Sequence, residues 1–285
     1  MTIRIVADST CDLPAEMVEK HNIKLVPLYI NVGEQEYRDG IDLTRQEFYK
    51  RLPDLRPAPT TAAPGPDVFR QIYEELAAEG ATEILSIHVS VKLSATVTIA
   101  AQAAKETTVV PVTVFDSRQL SLGTGFEVLA AAQAAAEGRS MQEILSMLEE
   151  QISRTYVFAA LDTLEFLRRS GRMNFAISFL GTLLQIKPFM KMYDGNPTAE
   201  RIRTRNAAVK RLVELLKEIG PLEKVALLHS RAEDRARSLL QEVKNLLPDK
   251  NTNIMIEEIT PVIGAHVGPG VLGFACISQN HRSSI

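Results

Sequence analysis

The chain has 285 residues, a net charge of −3 and 45% hydrophobic residues, values typical of a globular protein with one large domain or two smaller ones. The slight acidity argues against a sequence-independent grip on nucleic acid, and the lack of tryptophan argues against base stacking. The two cysteines are far apart, match no metal-ligand spacing and suit a reducing compartment. We therefore expect no nucleic acid partner and no metal.

The N-terminal sequence does not follow the pattern of a signal peptide, because Asp8 comes early and no long apolar segment follows it. Residues 173–186 carry no charge, but this run is shorter than the roughly 20 residues that span a bilayer. These features predict a cytoplasmic protein, and they leave a transient contact with a membrane open.

In the first half of the chain, short apolar runs alternate with helical patterns. The predicted strands are residues 3–7, 24–30, 83–88 and 109–115, a hairpin is predicted at 31–39, and helices follow Asp12, Thr44, Pro66, Ser94, Ser117 and Ser140. Capping-box pairs such as Thr44 with Glu47 support two of the helix starts. This alternation predicts βαβ units with a parallel sheet, in an N-terminal α/β domain of residues 1–155.

The second half predicts another α/β domain, residues 156–285. Its predicted strands are residues 156–161, 188–193, 224–229, 254–259 and 271–277; its predicted helices are residues 162–169, 173–185, 207–219 and 232–247. The turn Asp194-Gly195-Asn196 predicts a hairpin, and residues 278–285 are predicted to be a loose tail. The fold class is therefore α/β with two domains.

Polar residues collect where predicted strands end. They are Asp8-Ser9, the loop residues Thr60-Thr61, residues 90–94, Asp116-Ser117 and His229-Ser230. In an open α/β sheet, ligands bind beyond the carboxyl ends of the strands. Helix caps and turns use the same residue types. Taken together, hydroxyls without a paired base favour a site for an anion or a carboxylate over a hydrolase.

His266 lies in a stretch rich in glycine and proline, residues 260–275. The stretch is predicted to be a rigid turn, from which the imidazole could donate a hydrogen bond to a carboxylate. Residues 268–273 fit the spacing of a dinucleotide-binding loop, but an apolar strand follows instead of a helix, which excludes that function. Arg168, Arg169 and Arg172 surround a Ser-Gly turn, where they either complement a helix end or bind phosphate.

Several further motifs occur in a fixed order along the chain. They are residues 8–14 (DSTCDLP), Asp39-Gly40 with Leu43, residues 59–64 (PTTAAP), Leu93-Ser94 with Thr96, Asp116-Ser117, residues 164–172 (LEFLRRSGR), Lys187-Pro188 and residues 263–270 (IGAHVGPG). In these motifs the sequence resembles the DegV family of bacterial fatty-acid-binding proteins. The resemblance covers nearly the whole chain.

The resemblance implies that a long-chain fatty acid is bound between two α/β domains. Thr61, Ser94 and His266 would then hydrogen-bond its carboxyl group, with Arg172 near the mouth. The resemblance further implies a binding protein, not an enzyme, which presents the acid to a separate ATP-dependent kinase subunit for acyl-phosphate formation in phospholipid synthesis. Thr96 and Arg203 are the further candidates at the mouth or for docking this partner.

The sequence departs from the family pattern at two places. Ala62-Ala63 stands where the family usually has Ser-Gln, and Ala95-Thr96-Val97 stands where it usually has Gly-Thr-Tyr. The missing tyrosine and glycine bear on acyl-chain preference and on how the carboxyl end is held.

A fatty acid needs a deep apolar cleft, since each buried CH₂ contributes about 0.8 kcal/mol, and its carboxyl group needs polar partners. The predicted lining residues are Phe115, Phe175, Phe179, Leu183 and Ile263. The chain has no ATP-binding motif, so the nucleotide would come with the kinase. Arginines 168, 169, 172, 201, 203 and 205 are candidates for docking it.

Two other functions fit parts of the pattern. A hydrolase or acyltransferase would use Ser94 as nucleophile with His266, and would lose turnover of an activated ester in Ser94→Ala. A sugar-phosphate binder would have a polar pocket and no lipid.

Overall fold

The protein is represented by a computed structural model, which describes residues 2–172, 187–248 and 254–280. The described strands are β1 (Ile3–Asp8), β2 (Lys24–Val26), β3 (Tyr29–Val32), β4 (Gln35–Arg38), β5 (Thr60–Ala62), β6 (Glu83–His88), β7 (Val112–Asp116), β8 (Thr155–Ala160), β9 (Lys187–Tyr193), β10 (Asn196–Ile202), β11 (Leu222–His229), β12 (Ile256–Glu258) and β13 (Leu272–Ser278).

The described helices alternate with these strands. They are α1 (Ala15–Lys20), α2 (Arg45–Arg51), α3 (Pro66–Ala78), α4 (Thr96–Glu106), α5 (Leu122–Ala136), α6 (Met141–Ile152), α7 (Glu165–Arg169), α8 (Arg205–Ile219), α9 (Glu233–Val243) and α10 (Pro261–Val267). Within the described ranges, no helix is both long enough and apolar enough to cross a bilayer.

The predicted N-terminal parallel sheet is confirmed, with strand order β2-β1-β6-β7. Both faces of the sheet are covered, which is why its strands are continuous apolar runs. Val6 packs with helices α3 and α4, whereas its neighbours Ile5 and Ala7 pack with α5. Because β2 and β6 lie on opposite sides of β1, the chain changes direction across the sheet between β1 and β6. The carboxyl ends of these two strands are therefore the expected place for a ligand.

A small antiparallel sheet, β4-β3-β5, corrects two predictions. Residues 24–30 form two strands in different sheets, because Pro27 has no N–H for a continuous ladder. Thr60 and Thr61 were expected in a loop, but they lie in β5, where Thr61 pairs with Ile30. The predicted hairpin at 31–39 is confirmed as β3 and β4.

The C-terminal sheet is mixed, with strand order β10-β9-β8-β13-β11-β12, and only β11 and β12 pair in parallel among its described strands. Its outer face packs on α8 and α9. Its inner face packs toward α5, which thus lies between the two sheets. This position explains why α5 is alanine-rich and buried on nearly every side. The predicted domain boundary at residues 155 and 156 falls at the start of β8, and the boundary itself stays a prediction.

The stretch around His266 differs from its prediction. Residues 261–267 are a short helix, α10, not a turn. Pro261 fits the first helical position, where its missing N–H costs nothing, and Gly268 (φ 75°) ends the helix. The predicted strand at 271–277 is confirmed as β13. The predicted helix at 173–185 lies outside the described residues.

Other predicted elements are shorter in the structure than in the sequence pattern. Helix α7 begins at Glu165, not at residue 162. Helix α9 ends at Val243, where a 3-10 turn follows, and β12 is confined to Ile256–Glu258.

Candidate functional site

An apolar cavity of about 400 Å³ lies between the two larger sheets, at the carboxyl ends of β1 and β6. Both halves of the chain contribute to it. Its apolar wall includes Leu93, Ile99, Val157, Met190, Val262 and Val271. A cavity of this size and lining suits a ligand that is mainly hydrocarbon.

Two predicted site residues meet at the polar part of this cavity. The Thr61 hydroxyl and Nε2 of His266 form a hydrogen bond of 2.8 Å, and both residues line the cavity. Thr61 comes from β5 and His266 from the last turn of α10, so the contact joins elements about two hundred residues apart in sequence. Since side chains alternate along a strand, Thr60 is exposed while Thr61 is half-buried.

The imidazole of His266 is neutral at physiological pH. Burial lowers its pKa to about 4, and the positive charge of Arg172 acts in the same direction. Its Nδ1 atom is buried and has no hydrogen-bond partner among the described residues. The ring can therefore hold a ligand through hydrogen bonds, but it does not provide a fixed positive charge.

Ser94 lines the same cavity from the loop between β6 and α4. Its Oγ lies 2.8 Å from the Thr96 hydroxyl and accepts a hydrogen bond from the Thr96 backbone N–H at 3.3 Å. Thr96 is fully buried, so it supports Ser94 from behind and does not stand at a mouth. Among the described residues Ser94 has no hydrogen bond to His266, which leaves a Ser94–His266 hydrolase without its base.

A different set of hydrogen-bonded serine, histidine and aspartate side chains is buried beneath the loop that follows β6. His88 lies 2.7 Å from the Ser86 hydroxyl and 3.1 Å from the Asp8 carboxylate, and all three residues are inaccessible to solvent. Burial would raise the pKa of Asp8, but the hydrogen bond and charge of His88 hold it below its ordinary value. Asp8 also accepts from the backbone N–H groups of Thr10 and Val89, which line the cavity. These three side chains therefore help to shape the part of the cavity wall that Thr10 and Val89 form.

The other predicted residues have different outcomes. Arg172 and Ile263 line the cavity. Phe115 does not; it is buried in the central core. Arg203 is exposed just after β10 and does not line the cavity either. The three remaining lining candidates, Phe175, Phe179 and Leu183, lie outside the described residues.

Strand β9 contributes lining residues that were not predicted from the sequence. Met190 and Met192 both face the cavity, and their spacing of two along a strand is the signal that could have identified them. Asp12, Arg45 and Tyr49 were not predicted either; they do not line the cavity but hold the segment leading into α10.

A second, polar cleft lies at the carboxyl end of β11. Its lining includes Gln46, His229, Arg231, Glu233 and Glu258. Ser230 was a candidate ligand-site residue at the end of a predicted strand. Its hydroxyl instead stabilises the fold by donating to the Gly268 carbonyl at 2.7 Å. In the described part of the chain, no three His, Cys, Asp or Glu side chains are grouped to hold a metal ion.

The fold and the cavity define an α/β protein with two larger sheets and an apolar cavity between them. The sequence matches the family described as "Uncharacterised protein, DegV family" over residues 2–279. A DegV domain-containing protein of Streptomyces coelicolor is 35% identical over 280 residues, covering 97% of this chain and 99% of the relative. Protein DegV of Bacillus subtilis is 34% identical over 279 residues, covering 96% and 98%. The chain belongs to the DegV family.

Solved structures of the family superpose closely on this one. A DegV family protein from Thermus thermophilus, described by its fatty acid binding, gives a TM-score of 0.88 at 36% identity and covers 98% of this chain and 100% of its own. DegV from Bacillus subtilis, described as a fatty acid binding protein, gives 0.89 at 33% identity with the same coverage. The two-domain α/β fold class expected from the resemblance is therefore confirmed.

Proposed function

We propose that this chain binds one long-chain fatty acid in the apolar cavity, with the carboxyl group at Thr61, Ser94 and His266. The observation that supports it most is the contrast inside the cavity: its wall is apolar, and a Thr61–His266 hydrogen bond lies at one point of it. The relatives whose structures match this one are described as fatty acid binding.

The energetics of the site agree with this ligand. Each buried CH₂ contributes about 0.8 kcal/mol, so a long tail supplies most of the affinity. The carboxyl group costs several kcal/mol if it is buried without partners. Hydroxyls and a neutral imidazole satisfy it without a tight ion pair, while Arg172 adds positive potential from the cavity edge. The carboxylate oxygen then stays available as a nucleophile.

We further propose that the bound acid is presented to a separate ATP-dependent kinase subunit in the cytoplasm, which forms an acyl phosphate for phospholipid synthesis. Phosphoryl transfer needs positioning and nearby positive charge. Among the predicted docking arginines, Arg169 pairs with Glu165 and Arg205 pairs with Asp162. Arg201 also has a partner.

The remaining three docking candidates are Arg168, Arg172 and Arg203. Within the described ranges, none of them forms an ion pair. No described acidic residue therefore neutralises their charges.

Two neighbouring threonines provide a matched test of the binding site. Thr61→Val removes the hydroxyl at the site, and Thr60→Val removes an exposed hydroxyl from the same strand. We expect Thr61→Val to weaken fatty acid binding by roughly tenfold or more, the loss typical of a hydrogen bond to a charged group. Thr60→Val should bind like the wild type in a fluorescent fatty-acid competition assay.

Native mass spectrometry of freshly purified protein should show the mass of one long-chain fatty acid. Purified protein that carries no lipid and takes up none from solution would contradict the proposed function.

The kinase step has a separate test. Arg203→Glu should reduce acyl-phosphate formation at least tenfold with a bacterial fatty acid kinase subunit and ATP, while fatty acid affinity stays unchanged. Arg139→Glu reverses an arginine in the loop after α5 and should retain full activity. The acyl phosphate can be trapped with hydroxylamine. Equal rates of acyl-phosphate formation in both variants would show that Arg203 does not take part in docking the kinase.

A further inference from the structure

The segment leading into α10 is held by three side chains from the N-terminal half of the chain. The guanidinium of Arg45 donates to the Glu258 carbonyl, and the Tyr49 hydroxyl donates to the Ile259 carbonyl at 3.1 Å. The Thr260 N–H donates to Oδ1 of Asp12 at 2.7 Å. Three consecutive residues, 258–260, are thus held through their backbone groups.

Asp12 is the most buried of the three. Its second oxygen, Oδ2, accepts a hydrogen bond from the Ser121 hydroxyl at 2.5 Å, and Arg45 lies 3.9 Å from Oδ1. Asp12 is completely inaccessible to solvent. A carboxyl group in such a place is stable only when its oxygens are paired. Asp12 therefore connects three elements: its own loop, the start of α5 and the start of α10.

The rest of α10 is held as well. A Cβ on Gly264 would lie 2.4 Å from the Tyr49 hydroxyl oxygen, so the helix packs directly against this tyrosine. At the other end, the Ser230 hydroxyl donates to the carbonyl of Gly268. A helix of seven residues is too short to be stable by itself. Its position, and that of His266, thus depends on these contacts.

We propose that Asp12, Arg45 and Tyr49 act as a clamp that positions His266 against Thr61 for ligand binding. None of the three lines the cavity, so they are positioning residues. The inference rests on the proposed function for its ligand, but the placement of His266 can be measured without one.

A matched pair of tyrosines tests the clamp. Tyr49→Phe removes the hydroxyl that donates to the Ile259 carbonyl, and Tyr193→Phe removes a hydroxyl that likewise donates to a backbone carbonyl, that of Ser153 at 3.1 Å, outside the cavity lining. We expect fatty acid affinity to fall about three- to tenfold in Tyr49→Phe and to stay at the wild-type value in Tyr193→Phe. Equal affinity in both variants, measured well below their melting temperatures, would overturn the clamp.

Asp12 has a conservative variant. Asp12→Asn keeps an acceptor for the Thr260 N–H and should stay within about threefold of wild-type affinity, whereas Asp12→Ala should lose at least tenfold. If Asp12→Ala does not fold, the tyrosine pair decides. An Asp12→Ala protein that folds and binds like the wild type would overturn the proposal.

Nuclear magnetic resonance of the His266 ring provides the readout that needs no lipid. In the wild type the ring should titrate near its pKa of about 4. Asp12→Ala should move the midpoint at least one unit toward 6.5, since a displaced helix exposes the ring to water, and Tyr193→Phe should leave it unchanged. A shifted midpoint in Asp12→Ala, together with a wild-type protein that binds no fatty acid, would support the clamp and refute the ligand. An unshifted midpoint would refute the clamp.

Discussion

The imidazole of His266, which we propose holds the ligand, also lowers the stability of the folded protein in acid. Burial and the charge of Arg172 lower its pKa from 6.5 to about 4. The unfolded chain therefore takes up a proton at a higher pH than the folded chain does. Between these two values the folded state loses stability as the pH falls.

His266→Gln tests this effect. The variant cannot ionise, so its free energy of unfolding should fall less than that of the wild type on acidification from pH 7 to pH 4. The difference should reach about 3 kcal/mol, the size expected for a shift of this magnitude. Urea unfolding at a series of pH values measures it. Parallel pH curves for the two proteins would show that the buried ring is not the group responsible.

Glu127 has the opposite pH dependence. It is fully buried in α5, and neither carboxyl oxygen has a partner among the described residues. Burial raises its pKa well above 4.5, and the charge of Asp116 adds to the rise. Its folded state binds the proton more tightly, so stability is full below pH 4.5 and is lost as the pH rises.

Glu127→Gln should therefore gain stability over the wild type as the pH is raised from 5 to 8. Glutamine keeps the size of the side chain but cannot ionise. Thermal unfolding across this range measures the gain. A constant difference between the two proteins would mean that Glu127 does not change its proton binding on folding.

At the scale of elements, two short pieces build the polar end of the site. Strand β5 presents Thr61, and helix α10 presents His266. Neither is stable alone: β5 has three residues, and α10 has seven. Each depends on the neighbour that holds it, which is β3 for the strand and the clamp for the helix.

Gly264→Ala tests the packing of α10. Alanine favours a helix, but its Cβ would lie 2.4 Å from the Tyr49 hydroxyl oxygen. Overpacking of this kind usually costs about 1–3 kcal/mol. We expect Gly264→Ala to be destabilised by this amount in urea and to bind fatty acid more weakly. Gly65→Ala is the control, because a Cβ there meets nothing within 4 Å. A Gly264→Ala protein as stable and as tightly binding as this control would contradict the packing argument.

At the scale of the whole molecule, the cavity is formed by the two larger sheets, by β5 of the small sheet and by the elements between them. Helix α5 contacts strands of both sheets, so the two halves share one core. A ligand in this cavity touches residues such as Leu93 from one half and Val157 from the other. Its binding energy should therefore stabilise the complete fold and not one half alone.

Delipidated protein should consequently melt in one transition, and fatty acid should raise the midpoint of that transition. At a ligand concentration of one hundred times the Kd, the folded state gains about 2.7 kcal/mol, which corresponds to several degrees. Differential scanning calorimetry measures this shift. Two transitions, of which only one responds to lipid, would show that the halves unfold independently.

The sequence by itself determined the order of the elements and the family. Apolar runs and capping boxes follow from local chemistry, so β1, β6 and the helix starts at Thr44 and Ser140 could be predicted. Thr61, Ser94 and His266 could be predicted because they lie in motifs that the sequence shares with the DegV family. Two local signals, Pro27 within residues 24–30 and the spacing of Met190 and Met192, could have improved the prediction.

The tertiary structure decided what those residues touch. The stretch around His266, predicted to be a turn, is a helix because residues far away in sequence hold its start. Phe115 joined the core, whereas Met190 joined the cavity wall, since the direction of a strand's side chains depends on the sheet against which it packs. Contacts between Asp12 and Thr260 leave no local pattern. Hydrogen bonds of this range are set by the assembled fold, and the sequence around either partner does not contain them.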